Sequence, residues 1–79
     1  MKVVNVTPEK AKELIKLGRN NTMFPHKVTK YKNMMLSGEW KDGLGDPLII
    51  KNNVLLDGRH RLTAIIESGL TFNMPCWML

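Results

Sequence analysis

Asp57-Gly58-Arg59-His60-Arg61-Leu62 gathers the side chains of this sequence best suited to chemistry. It is entered from the apolar Val54-Leu55-Leu56 and continues into Thr63-Ala64-Ile65-Ile66-Glu67, the pattern of a short strand, a glycine turn and a helix start. A helix N-terminus collects backbone N–H groups and the positive end of the helix dipole at one place. Arg59, His60 and Arg61 bring side-chain cations to the same place, and a guanidinium grips phosphate oxygens two at a time. The spacing therefore predicts a phosphate or nucleotide site at Asp57, Gly58, Arg59, His60 and Arg61.

Each of these residues has a structural role to set beside the functional one. Arg61, in the first helical turn, is expected to face the pocket as a phosphate ligand; its alternative is an ion pair with Asp57 or Glu67. His60 donates to phosphate or works as an acid/base near neutral pH, which makes it the candidate catalytic residue; otherwise it anchors the turn. Arg59 contacts phosphate or points to water. Gly58 lets the backbone approach a ligand, or simply makes the bend. Asp57 is expected to cap the helix, with a metal bridging phosphates as the other possibility.

The rest of the chain offers little further chemistry. Only seven residues are acidic, and none forms a pair with two-metal spacing, so no metal site is predicted. Glu39 or Asp46 could act as a base, but nothing selects either. His26 is isolated and receives no role. Cys76 reads as core, and Trp40 as packing rather than base stacking. Lys27, Lys30 and Arg19 form the expected nucleic-acid or partner surface, with Arg19 and Asn20 in a polar loop.

These groups must be held by short elements. Lys2–Val6 is valine-rich and reads as a strand. Thr7 is a good N-cap, Pro8 suits the first helical position, and Gly18 is the expected stop. Ala11, Leu14 and Ile15 supply the apolar stripe. A second helix is predicted from about Pro25 to Ser37-Gly38, with Val28, Tyr31 and Met35 on one face. A turn-rich stretch from Lys41 to Pro47 follows. Leu48–Lys51, Asn52-Asn53 and Val54–Leu56 read as a hairpin with a two-residue turn. The third helix spans about Arg59 to Ser68, packs through Leu62, Ile65 and Ile66, and stops at Gly69. Phe72 to Leu79 is the last strand, where Pro75 suits an edge.

The 79 residues, 43% hydrophobic, make one small domain over residues 1–79, without repeat or linker. Such a domain buries only about 60% of its unfolded surface, so its stability is marginal. No apolar run approaches the roughly 20 residues that cross a bilayer, and no membrane partner is expected. The first residues lack an export signal, and a single cysteine suits a reducing compartment, so a cytoplasmic location is expected. Net charge is +5, unevenly spread. Residues 1–41 hold nine Lys or Arg against three Glu; residues 42–79 hold three against four acids. A front-loaded positive field favours polyanions or an acidic protein face, although surface lysines also keep a small domain soluble.

The turn, with what surrounds it, resembles the ParB/sulfiredoxin superfamily, and within it the small ParB-like proteins of phages and mobile elements. The residues that carry the likeness are Met35, Gly38, Trp40, Gly45, Pro47, Ile49, Leu55-Leu56-Asp57-Gly58, His60-Arg61-Leu62, Ala64 and Ser68-Gly69. They span roughly residues 28–75. The resemblance implies an α+β fold with a small mixed sheet and about three helices, the nucleotide-binding turn lying at a helix start. The cofactor it leaves room for is a nucleoside triphosphate with Mg2+, the alternative being none. Members of this superfamily include partition CTPases, nucleases, small-molecule kinases and sulfinic acid reductases. Arg59 stands where sulfiredoxins place their working cysteine, which argues against that activity. Arg59 and His60 interrupt the glutamate–arginine pattern of partition proteins, and no helix-turn-helix segment follows, so DNA sliding is not expected.

Three functions fit these residues. The first is a ParB-like module, phage or mobile-element encoded, that binds a nucleotide or nucleic-acid phosphate at Gly58–Arg61. The second is a nuclease or ATP-dependent phosphotransferase of the same fold. The third is a phage protein that occupies and inhibits a host protein in the host cytoplasm. The sparse acidic set favours binding over catalysis. The oligomeric state is open, the exposed-looking last strand and the marginal core being compatible with a homodimer.

Overall fold

A computed structural model of the chain describes residues 2–18, 25–40 and 47–79. Arg19, Asn20, Lys41, Gly45 and Asp46 lie outside the described residues, and so does nearly all of the turn-rich 41–47 stretch. The elements in order are β1 (Lys2–Val6), α1 (Pro8–Ile15), α2 (Pro25–Ser37), β2 (Leu48–Lys51), β3 (Val54–Asp57), α3 (Arg59–Ser68) and β4 (Phe72–Met78). The result is an α+β domain with a four-stranded mixed sheet and three helices.

Local sequence explains most boundaries. Thr7 Oγ1 accepts from the Lys10 amide at 3.1 Å, Pro8 opens α1, and Glu9 sits at its positive end. Asn52 and Asn53 both take positive φ (51° and 62°), as the two-residue turn between β2 and β3 demands. Gly69 closes α3, its amide bonded to Ile65 O at 3.0 Å.

The strand order is β1-β4-β2-β3. β4 runs antiparallel to β1 and parallel to β2, so the last strand is an interior strand. This corrects the expected exposed edge. Pro75 is tolerated because β2 pairs only from Cys76 onward; Pro75 faces Val3 of β1 and has no β2 partner in the register. At the outer edge of β3, Leu55 alone is engaged, donating its amide to Leu17 O at 3.0 Å and bridging to Gly18. The sheet edges are β1 and β3.

One core lies between the helices and one sheet face. It joins Val6, Leu48, Ile50, Leu55, Met74 and Cys76 from the strands to Ala11, Leu14, Val28, Met35, Leu62 and Ile65 from the helices. α3 packs against both α1 and α2. Trp40 is buried, with its ring edge-on to Tyr31 at 5.5 Å between centroids. Packing is its role, as the sequence predicts.

A bulge positions the turn. Ile50 pairs with Leu55 while the adjacent Ile49 pairs with Asp57, which leaves Leu56 as the extra residue. Bulges re-aim the side chains that follow them. Here the bulge comes immediately before Gly58 and the first turn of α3.

Candidate functional site

Gly58 is the N-cap of α3, with φ 112° and ψ 3°, and no side chain caps the helix. Asp57 therefore does not cap it. Left-handed geometry at 58 requires glycine, and so does space: a Cβ there would run into Leu48 Cδ2. The inner side of the bend is thus filled by the core.

Arg61 is buried, its side chain 10% exposed, and its Nη2 lies 3.7 Å from Asp57 Oδ2. The same nitrogen would stand 3.6 Å from a Cβ on Gly58. Arg61 lines the inside of the turn and is held by Asp57, the pairing that was its alternative role. Asp57 keeps its own side chain 55% exposed. Being one turn apart, the two residues clamp the strand end to the helix start.

Arg59 lies over the turn that ends α1. A Cβ at Gly18 would meet Arg59 Nη1 at 2.6 Å and Ile15 O at 3.2 Å. The guanidinium end can swing aside, so the tighter constraint at 18 is the Ile15 carbonyl; α1 itself is already capped at Lys16. The Thr63 hydroxyl donates to Arg59 O at 2.9 Å and fixes the first turn of α3 from within.

His60 is half-buried, and its pKa is lowered from the ordinary value. Burial is the largest cause; the charges of Lys27, Arg59 and His26 follow, while Asp57 acts in the opposite sense. The first turns of α2 and α3 therefore share one neighbourhood, in which the Lys27 and Arg59 cations stand beside the His26 and His60 imidazoles. Neither helix has a carboxylate in its first turn, whereas α1 has Glu9. Cations at the positive end of a helix are unfavourable by themselves, and an anion placed among them relieves that repulsion. The imidazole is neutral near pH 7, able to accept a proton and ready to take one up when an anion arrives.

Sequence reasoning grouped Arg59 with His60, left His26 without a role and placed Lys27 on a separate surface. The available signal was composition: Pro25-His26-Lys27 and Arg59-His60-Arg61 both open helices with cations and no acid. Lys27 and Lys30 are exposed on α2, three residues apart, and so extend the cationic strip along that helix. A shallow groove of about 280 Å³ runs between α2 and α3, lined by Pro25, Val28, Thr29, Thr63 and Glu67. Lys32 bridges the two helices farther along, 3.8 Å from Glu67.

No group of three or more His, Cys, Asp or Glu side chains is assembled among the described residues. Asp57 is the carboxylate nearest the cluster and is already engaged by Arg61. A Mg2+ ion in this setting would be held mainly by the phosphates it accompanies and by water. Among the described residues, no helix is long and apolar enough to cross a membrane. Burial raises the pKa of the Cys76 thiol, in keeping with a core residue. No family model, no curated protein and no solved structure matches this chain.

Proposed function

We propose that this chain is an anion-binding module, ParB-like in type, that holds a phosphate of a nucleotide or nucleic acid between the first turns of α2 and α3. One observation carries the reading: α2 packs on α3 with a groove lined by Pro25 and Thr63 near both helix starts, and the first turns that flank it carry His26 and Lys27 on one helix and Arg59 and His60 on the other, with no first-turn carboxylate on either. The ligand set differs from that expected from the turn alone. Arg59 and His60 remain in it, His26 and Lys27 join it, and Arg61 with Asp57 braces it. Lys30 continues the strip beyond the first turn, which favours a ligand with more than one phosphate. A nucleoside triphosphate with its Mg2+ and a short single strand both meet that requirement.

Calorimetric titration with ATP, CTP, GTP and a single-stranded oligonucleotide tests the reading. At least one should bind, and Lys27→Glu with His60→Asn should remove that binding without changing the circular dichroism spectrum. For a single strand, log K should fall with log salt at about 0.7 per phosphate contacted. Equal affinity in the double variant would overturn the assignment.

A further inference from the structure

The two helices that flank the site run the same way. The charge of Lys27 acts on His60, Lys32 bridges to Glu67 at 3.8 Å, and Ser68 Oγ donates to Met35 Sδ at 3.9 Å, so contacts advance together along α2 and α3. Both positive helix ends therefore lie at one end of the groove of about 280 Å³, and the Lys32–Glu67 pair stands at the other. Along α3, Arg59, Thr63 and Glu67 follow at four-residue steps and share one stripe, about 12 Å long at 1.5 Å per residue. This wall runs from a cation through a hydroxyl to a carboxylate; α2 faces it with Pro25, Val28 and Thr29. We propose that the groove seats the nucleoside of a free mononucleotide, with Glu67 accepting from the N–H edge of the base. This rests on the phosphate reading above and names the rest of the ligand.

The order of groups along the groove selects that occupant. Phosphate belongs at the cationic end. Next come the hydroxyls: Thr63 Oγ1 spends its proton on Arg59 O and keeps lone pairs for an incoming donor, while the exposed Thr29 can give or accept. Sugar hydroxyls suit that stretch, and the apolar sides of Pro25 and Val28 suit a flat ring. Glu67 lies last. Lys32 Nζ is 3.8 Å from its Oε1, beyond hydrogen-bond length, so the carboxylate keeps its capacity to accept. An acceptor there favours a ring bearing N–H groups and repels a second phosphate. A strand laid along the groove would bring that phosphate, and a sugar phosphate would stop short of Glu67. The volume is at the lower limit of small-ligand sites, which begin at roughly 300 Å³, and so holds one nucleoside. A triphosphate tail can leave the open end toward Lys27 and Lys30, both exposed on α2.

Calorimetric titration of the intact chain with ATP, CTP, GTP, tripolyphosphate and a short oligonucleotide, all with Mg2+, reads the outcome. At least one nucleotide should bind about tenfold tighter than tripolyphosphate, although tripolyphosphate carries no less negative charge. Glu67→Ala should weaken that nucleotide about tenfold, the scale of a hydrogen bond to a charged group, and leave tripolyphosphate unchanged or tighter. The sign is diagnostic, because removing a carboxylate makes the chain more positive and by charge alone strengthens every anion. Thr29→Trp fills the groove from an exposed position, without touching the Lys32–Glu67 pair, and should bring the nucleotide down to the level of tripolyphosphate. Tripolyphosphate matching every nucleotide overturns the groove assignment while the phosphate reading stands. So does a nucleotide whose affinity is unchanged or raised in Glu67→Ala, or an oligonucleotide that binds the unmodified chain tighter than every mononucleotide. If none of these ligands binds, both readings fall.

Discussion

Replacing Arg61 separates a bracing role from a ligand role. Its side chain is 10% exposed and held by Asp57, so Arg61→Ala removes two buried methylenes and the guanidinium. At ~0.8 kcal/mol per methylene, the aliphatic part contributes about 1.6 kcal/mol. The ion pair adds under about 1 kcal/mol, because its Asp57 partner is more than half exposed and screened by water. The expected loss is therefore about 1.6–2.6 kcal/mol. In a domain of this size that lowers Tm by roughly 6–20 °C, at about 4–8 °C per kcal/mol. Urea unfolding followed by circular dichroism measures it. Arg61→Met, which keeps an apolar stem, should recover more than half of the loss. Asp57→Asn should cost less than about 1 kcal/mol, the exposed-pair limit. If Arg61→Ala changes stability by less than about 0.5 kcal/mol, the level of an ordinary surface substitution, the bracing assignment is wrong.

His60 gives a pH dependence with a definite sign. Its folded pKa lies below its unfolded value of 6.5, so its contribution to stability is present above pH 6.5 and is lost as pH falls through the folded pKa. A bound phosphate reverses the preference; the Tm increase produced by ATP should be larger at pH 5.5 than at pH 8, and His60→Asn should flatten the difference. Gly58→Ala forces a Cβ into Leu48 Cδ2 at a left-handed position, which predicts destabilisation of at least about 3 kcal/mol in the same urea assay. Its unfolding midpoint would have to stay unchanged for the packed bend to be in error. Cys76, buried with a raised pKa, should react with a thiol reagent at pH 7.5 only after denaturant is added; rapid labelling of the native chain would contradict its core placement.

Local signals were legible and long-range ones were not. Thr7-Pro8, Asn52-Asn53 and Gly69 marked element boundaries because capping and turn chemistry act within a few residues. The position of β4 was misread because a proline argues for an edge, while the stagger that frees Pro75 on one side depends on where β2 begins. Burial of Arg61 could not be seen either: it depends on the bend at Gly58, which the Leu56 bulge precedes and against which Leu48 packs. His26 and His60 are far apart in sequence and reach one neighbourhood through the packing of α2 on α3, which no local periodicity encodes.

The central place of β4 also bears on how the chain is made. β1 is synthesised first, yet its partner and the link to β2 are supplied by the strand translated last. At roughly 5–20 residues per second, the ribosome keeps β1 unpaired for several seconds, with Val4 and Val6 exposed to whatever binds nascent apolar segments. Helices α1, α2 and α3 can form early, but the sheet can close only once β4 has emerged, as a late step with high contact order. Losing Phe72–Met78 would not trim a margin. It would part β1 from the hairpin.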